Sequence, residues 1–159
     1  MNSRQCAESG FSLPELLIVL VVAGVLAAIA VPSFQSLTQS QQVKNASFEL
    51  FSNLSLARSE AIKRNANVTV APLVAGDWGQ GWTITSATGA AGDIKSQSAL
   101  KGVVITPGGA GGVIYARNGR ANTAATFQID VSPVDTSIRR CIYIGLTGMP
   151  RSVKQTGAC

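Results

Sequence analysis

The sequence predicts an α+β protein: one long N-terminal α-helix, half membrane span and half amphipathic, packed on a small antiparallel β-sheet domain. Three observations carry this expectation. An uncharged apolar run, Leu16 to Val31, lies near the N-terminus. A stripe of apolar residues at helical spacing follows it as far as Arg64. After Asn67 the periodicity changes to two, and Gly- and Asp-containing stretches separate the runs. The 159 residues suffice for one domain plus an extra element. With 46% hydrophobic and 13% charged residues, the chain is neither disordered nor an ordinary highly charged soluble protein.

The first element is a membrane span. Phe11 to Val31 is 21 residues, enough to cross a bilayer as a helix. A secretory signal peptide would end its apolar core at a small-residue cleavage site. Here the chain does not stop after the run but continues as "VPSFQSLTQSQQVKN". Arg4 precedes the run, so the short N-terminus should stay cytoplasmic and the large C-terminal part should be exported. Glu15 is the anomaly. A carboxylate at the edge of a bilayer helix costs a few kcal/mol unless it is paired, which marks it as a functional residue. The alternative is a plain anchor whose Glu15 reaches the interface. Pro14 suits a first helical turn, whose N–H groups have no intrahelical partner.

The second element continues the first. Val43, Ala46, Leu50, Leu54, Ala57 and Ala61 recur at three and four residues and form one apolar face. Glu60 and Arg64 are four apart in the favourable order. Pro32 should loosen the helix locally, and "NAN" at Asn65 to Asn67 should end it. From Ser12 to Arg64 such a helix measures about 80 Å.

Six strand-like runs follow: residues 68–74, 81–86, 100–107, 112–117, 126–131 and 139–146. "AGDWGQ", "TGAAGD", "PGGAGG" and "RNGRAN" separate them, and "RNGR" reads as a hairpin turn. No repeat of 20 to 50 residues is present, which argues against a solenoid.

Cys141 and Cys159 form a possible pair. In an exported domain they suggest a disulfide, worth about 3 kcal/mol in the chain-entropy model; the alternative is two free thiols. Cys6 precedes the apolar run. The net charge is +5, and Arg117, Arg120, Arg139, Arg140, Arg151 and Lys154 face only Asp130 and Asp135 after residue 116. Such an excess attracts polyanions or serves as a solvated surface. There is no histidine. Asp77, Asp93, Asp130 and Asp135 are spread through the β region, so no catalytic residues, metal ligands or cofactor site are expected. "GGAGG" at 108–112 lacks the lysine and helix of a phosphate loop. Trp78 and Trp82 suit a core or inter-sheet position better than a stacking platform.

The stretch "GFSLPELL" resembles the class III signal of type IV pilins and pseudopilins. That resemblance implies cleavage by a prepilin peptidase after Gly10, N-methylation of Phe11, and Glu15 as the family's carboxylate five residues into the mature chain. It also implies that Gly24 and Pro32 lie where pilin helices unwind in the filament. Pro14 departs from the commoner aliphatic residue. The physical logic is pairing: the amine freed at Phe11 needs an anion in a low-dielectric bundle, and Glu15 of a neighbour supplies one. The resulting divisions are a leader (1–10), an assembly helix (11–32), an amphipathic helix (33–66) and a β-rich domain (67–159).

"NLSLARSEAIKRNANVTV" followed by "WGQGW", a late "NGR" turn and the terminal "TGMPRSVKQTGAC" are similar to the GspH/FimT/FimU branch of that family. The resemblance implies a minor pilin with two facing β-sheets, anchored in the bacterial inner membrane with a periplasmic domain. It then joins a filament, at the tip, with the major pilin and other minor pilins. The alternative is a type II secretion pseudopilin. Some FimT members resemble DNA receptors with a C-terminal Gly-Arg-x-Arg motif. The matching positions are Gly148, Met149, Pro150 and Arg151, with Met149 replacing the first arginine. Arg139, Arg140, Arg151 and Lys154 are the candidate DNA contacts; otherwise the tail is a disulfide-closed interaction surface.

Overall fold

Helix α1 runs from Leu13 to Arg64. The computed structural model describes residues 12–87, 93–109 and 111–159. The chain divides after Leu37 into two compact units.

In the first unit, α1 begins where the Ser12 carbonyl accepts the N–H groups of Glu15 and Leu16, at 3.1 and 3.2 Å. Glu15 lies in this first turn, where the unpaired N–H groups of the helix end favour an anion. The apolar run is uncovered: its most apolar 18 residues have a mean hydropathy of 2.8 and none is buried. Apolar surface exposed on every side of a helix needs lipid or other helices around it.

In the second unit, the rest of α1 packs on two β-sheets. The six stripe residues Val43, Ala46, Leu50, Leu54, Ala57 and Ala61 are all buried. Arg64 Nε donates to Glu60 Oε2 at 2.6 Å and holds the Glu60 carboxyl below its ordinary range. The helix stops through backbone geometry. Asn65 takes a φ of 50°; its N–H reaches the Ile62 carbonyl while that of Ala66 reaches Ala61. These are the two bonds of a Schellman cap, and Ala61 and Ala66 beside it are both buried.

Among the described residues eight strands follow: β1 (Val68–Val74), β2 (Asp77–Ser86), β3 (Asp93–Ser98), β4 (Val103–Pro107), β5 (Val113–Tyr115), β6 (Ala125–Val131), β7 (Arg140–Ile144) and β8 (Pro150–Lys154). They form two four-stranded antiparallel sheets, ordered β3-β2-β1-β5 and β4-β6-β7-β8. One hydrophobic core joins both sheets and the helix. Trp78 and Trp82 are fully buried in it, and Trp78 meets Phe127 of the other sheet edge-on at 4.6 Å.

The pattern of residues missed two strands, β3 and β8. "DIKSQS" and "PRSVK" are edge strands that bury little, so they lack the apolar alternation that marks an inner strand. Strand β2 starts at Asp77, inside the expected spacer "AGDWGQ", because the turn before it needs only Ala75 and Gly76. The turn at "RNGR" forms: Ala116 N–H donates to the Arg120 carbonyl, and Asn118 Oδ1 accepts the Arg120 N–H. It does not join two strands of one sheet. After a single bridge between Tyr115 and Ala121 the chain crosses to the other sheet.

Candidate functional site

The expected assembly segment is partly described. Gly10 and Phe11 lie outside the described residues. Glu15 is exposed. Gly24 lies in α1 with open space where a Cβ would stand. Pro32 also lies within α1, which is helical through both positions; its side chain is outside the description. The surface from Leu16 to Val31 therefore presents apolar side chains with one bare backbone position.

The C-terminal basic residues do not converge. Arg139 is buried, and its guanidinium is committed: Nε donates to Asp130 Oδ1 at 2.6 Å, Nη2 to Asp130 Oδ2 at 3.1 Å, and Nη1 to the Gly157 carbonyl at 3.0 Å. Gln128 Nε2 also donates to Asp130, at 2.9 Å. A cation desolvated against a carboxylate is not presented to phosphate, so the structure corrects the expectation for Arg139. Arg140 and Lys154 are register partners across β7 and β8. Arg151 is the partner of Tyr143. Side chains alternate between faces of a sheet, so Arg151 lies on the face opposite to Arg140 and Lys154.

The face carrying Cys141, Tyr143 and Arg151 is clasped by the chain's end. Cys141 and Cys159 form a disulfide, with Cα atoms 5.8 Å apart. Tyr143 Oη donates to Gln155 Oε1 at 3.0 Å, and Gln155 Nε2 to the Ala158 carbonyl at 2.6 Å. Together with Arg139–Gly157, these contacts pin residues 155–159 onto the sheet.

Gly148, the one glycine of the expected DNA motif, has a conformational reason to be there. Its φ is +77°, its N–H closes a turn onto the Gly145 carbonyl, and a Cβ would collide with the Gly119 carbonyl oxygen. Gly119 has a φ of +75° and its carbonyl also accepts a hydrogen bond from Arg58 Nε at 3.0 Å. The "RNGR" turn and the β7–β8 turn thus meet backbone to backbone, where only glycine fits, and α1 reaches the same point through the Arg58 and Ile62 side chains.

Two more carboxylates cap turns. Asp77 Oδ1 accepts the Gly79 N–H and Asp135 Oδ1 the Ser137 N–H, each at 2.9 Å. The bond from Ser137 holds the Asp135 carboxyl below its ordinary range. Among the described residues, no group of three or more Cys, Asp or Glu could hold a metal.

The family model described as "Type II transport protein GspH" matches residues 46–148, and that described as "Prokaryotic N-terminal methylation motif" matches residues 6–31. The chain belongs to the GspH family. Among solved structures, the type IV minor pilin FimU of Pseudomonas aeruginosa is similar, with a TM-score of 0.63 and 22% identity over 73% of this chain and 96% of FimU. The minor pseudopilin EpsH of the Vibrio cholerae type 2 secretion system gives a TM-score of 0.57 and 16% identity over 71% of this chain and 97% of EpsH. Both likenesses concern the fold. A Pseudomonas aeruginosa fimbrial protein is 46% identical over 56 residues, 35% of this chain. The chain spans 36% of the length of the curated relatives it matches.

As a GspH-family chain with a matched N-terminal methylation motif, it shares its fold with the minor pilin FimU and the minor pseudopilin EpsH. The GspH match ends at Gly148, the residue packed on Gly119. Sequence reasoning did not find Asp130 as the partner of Arg139. The β6–β7 register puts Ile129 opposite Arg140, and extending it by one residue aligns the pair. The packing of the whole domain sets that register, which was not legible from the residues.

Proposed function

We propose that this GspH-family chain is a minor type IV pilin, made as a prepilin, cut after Gly10, methylated at Phe11 and assembled through its N-terminal helix. In this reading it sits in the bacterial inner membrane with its β domain in the periplasm. It then helps to initiate or cap the pilus and links other minor pilins to the major pilin. The observation that carries the reading is the uncovered apolar helix with one carboxylate in its first turn, within a matched N-terminal methylation motif. A helix of this kind is stable in lipid and equally suited to a bundle of like helices. Glu15 is costly in the first setting and becomes favourable in the second, once a neighbour's terminal amine reaches it. The fimbrial relative supports a pilus. Replacing Gly10 with valine tests the proposal: the full-length precursor should accumulate and piliation should fall. Normal processing with normal piliation would sink it.

The family's own description favours a second reading, a pseudopilin of type II secretion. Deleting the gene separates the two, since one predicts loss of pili and the other loss of protein secretion. DNA capture is not proposed, because Arg139 is sequestered and Arg151 lies across the sheet from Arg140 and Lys154.

A further inference from the structure

Where the C-terminal half of α1 meets β7 and β8, an open groove of about 510 Å³ is lined by Lys44, Ser47 and Phe48 from the helix and by Arg140 and Ser152 from the sheet. Its lining holds no carboxylate. Lys44 is exposed and makes no ion pair among the described residues. Arg140 makes one side-chain contact, Nη1 to Ser152 Oγ at 3.4 Å, long for a charged hydrogen bond. Lys154, in register with Arg140 and on the same face, adds a third cation beside the groove. On the floor, Ser47 Oγ and Ser152 Oγ are 2.9 Å apart and share one proton between them, so the second hydroxyl proton is left over. The groove therefore presents more donors than acceptors, two cations and a spare hydroxyl proton against the Asn45 amide oxygen and the serine oxygens. Its wall is Phe48, 68% exposed on a helix whose other large apolar residues between Val43 and Ala61 are buried or half-buried.

We propose that this groove is a docking seat for a segment of a neighbouring pilin's globular domain that presents a carboxylate beside an apolar side chain. The inference rests on the minor-pilin reading and names the surface and the chemistry of its partner. A carboxylate supplies only acceptors, up to four sites, which is what Lys44 and Arg140 lack. The apolar neighbour covers Phe48. A second copy of this chain offers few carboxylates. Asp77 and Asp135 cap turns, Asp130 is buried against Arg139 and Glu60 is paired with Arg64, which leaves Glu49 and Asp93 in the globular unit. Self-association abolished by the variants below would overturn the seat in favour of a second copy. A nucleic acid is a poor occupant as well, because only Lys44 and Arg140 line the concavity, too few cations to track a phosphate backbone.

The test uses the full-length chain in detergent and each purified pilin encoded in the same genome, with binding measured one pilin at a time. One of them should bind, more weakly as salt rises. The double variant Lys44→Glu/Arg140→Glu should weaken binding at least tenfold, and Phe48→Ala several-fold. Replacing the partner's contacting carboxylate with lysine should restore binding to the double variant. Lys44→Glu alone, at an exposed helix position, keeps the test valid if the double variant unfolds. Pilin binding that is indifferent to all these changes overturns the docking seat and leaves the minor-pilin reading standing. Binding of no pilin overturns both. Binding of duplex DNA alone, abolished by the double variant, overturns the seat in favour of a polyanion.

Discussion

Arg139 shows how far one side chain's role depends on its surroundings. Counted along the chain it is one of six cations after residue 116, yet folding places it against Asp130 with both side chains almost out of water. Breaking such a pair from one side leaves an uncompensated buried charge, which typically costs about 3–5 kcal/mol. Arg139→Ala and Asp130→Ala should each destabilise the domain by about that much in urea titrations. The double variant should cost clearly less than their sum. Tyr115 makes a second residue-scale case. It is fully buried, its Oη has no hydrogen-bond partner among the described residues, and burial pushes its phenol well above the ordinary value of 10.0. Above about pH 10 the unfolded chain releases this proton while the folded chain retains it. The unfolded state then binds fewer protons, so stability falls as pH rises past that point and is unaffected below it. Tyr115→Phe should remove that share of the alkaline decline. At neutral pH it should change stability by no more than about 1 kcal/mol, since no hydrogen bond is lost. Thermal melts from pH 7 to 11 on both proteins measure this.

Elements differ in how legibly they are written. The amphipathic part of α1 was readable residue by residue, because a helix packed on one side repeats its burial every three to four residues. Its end was readable too, since asparagine tolerates the left-handed conformation that a Schellman cap requires. Strands β1 and β6 were clear for the analogous reason at period two. Edge strands β3 and β8 were not, because an edge is defined by backbone pairing with a neighbour rather than by buried side chains. The "RNGR" turn was legible as a turn, while the change of sheet that follows it was not. What ties these elements together is the glycine contact between that turn and the β7–β8 turn. Gly148→Ala should cost about 1–3 kcal/mol from the positive φ alone. The collision with the Gly119 carbonyl adds to this, because it is backbone and cannot rotate away. Denaturant unfolding should show a loss at or above that range, and Gly145→Ala, with no close neighbour and no positive φ, should show a much smaller one.

At the scale of the molecule, the chain combines a helix that asks for lipid or other helices with a domain closed by its own core and disulfide. The sequence by itself determined the helix, its apolar and amphipathic parts, the β domain and the family resemblance at "GFSLPELL". All of these rest on local information: hydropathy, periodicity and a contiguous motif. Tertiary structure decided what depends on residues distant in the chain. It set the strand order within each of the two sheets that share one core. It sequestered Arg139 against Asp130 and put Arg151 on the opposite face from Arg140. It brought Lys44 and Phe48 of the helix beside Arg140 of the sheet. Each of these follows from strand register and sheet order, which are set by the packing of the whole domain and leave no local mark in the residues concerned.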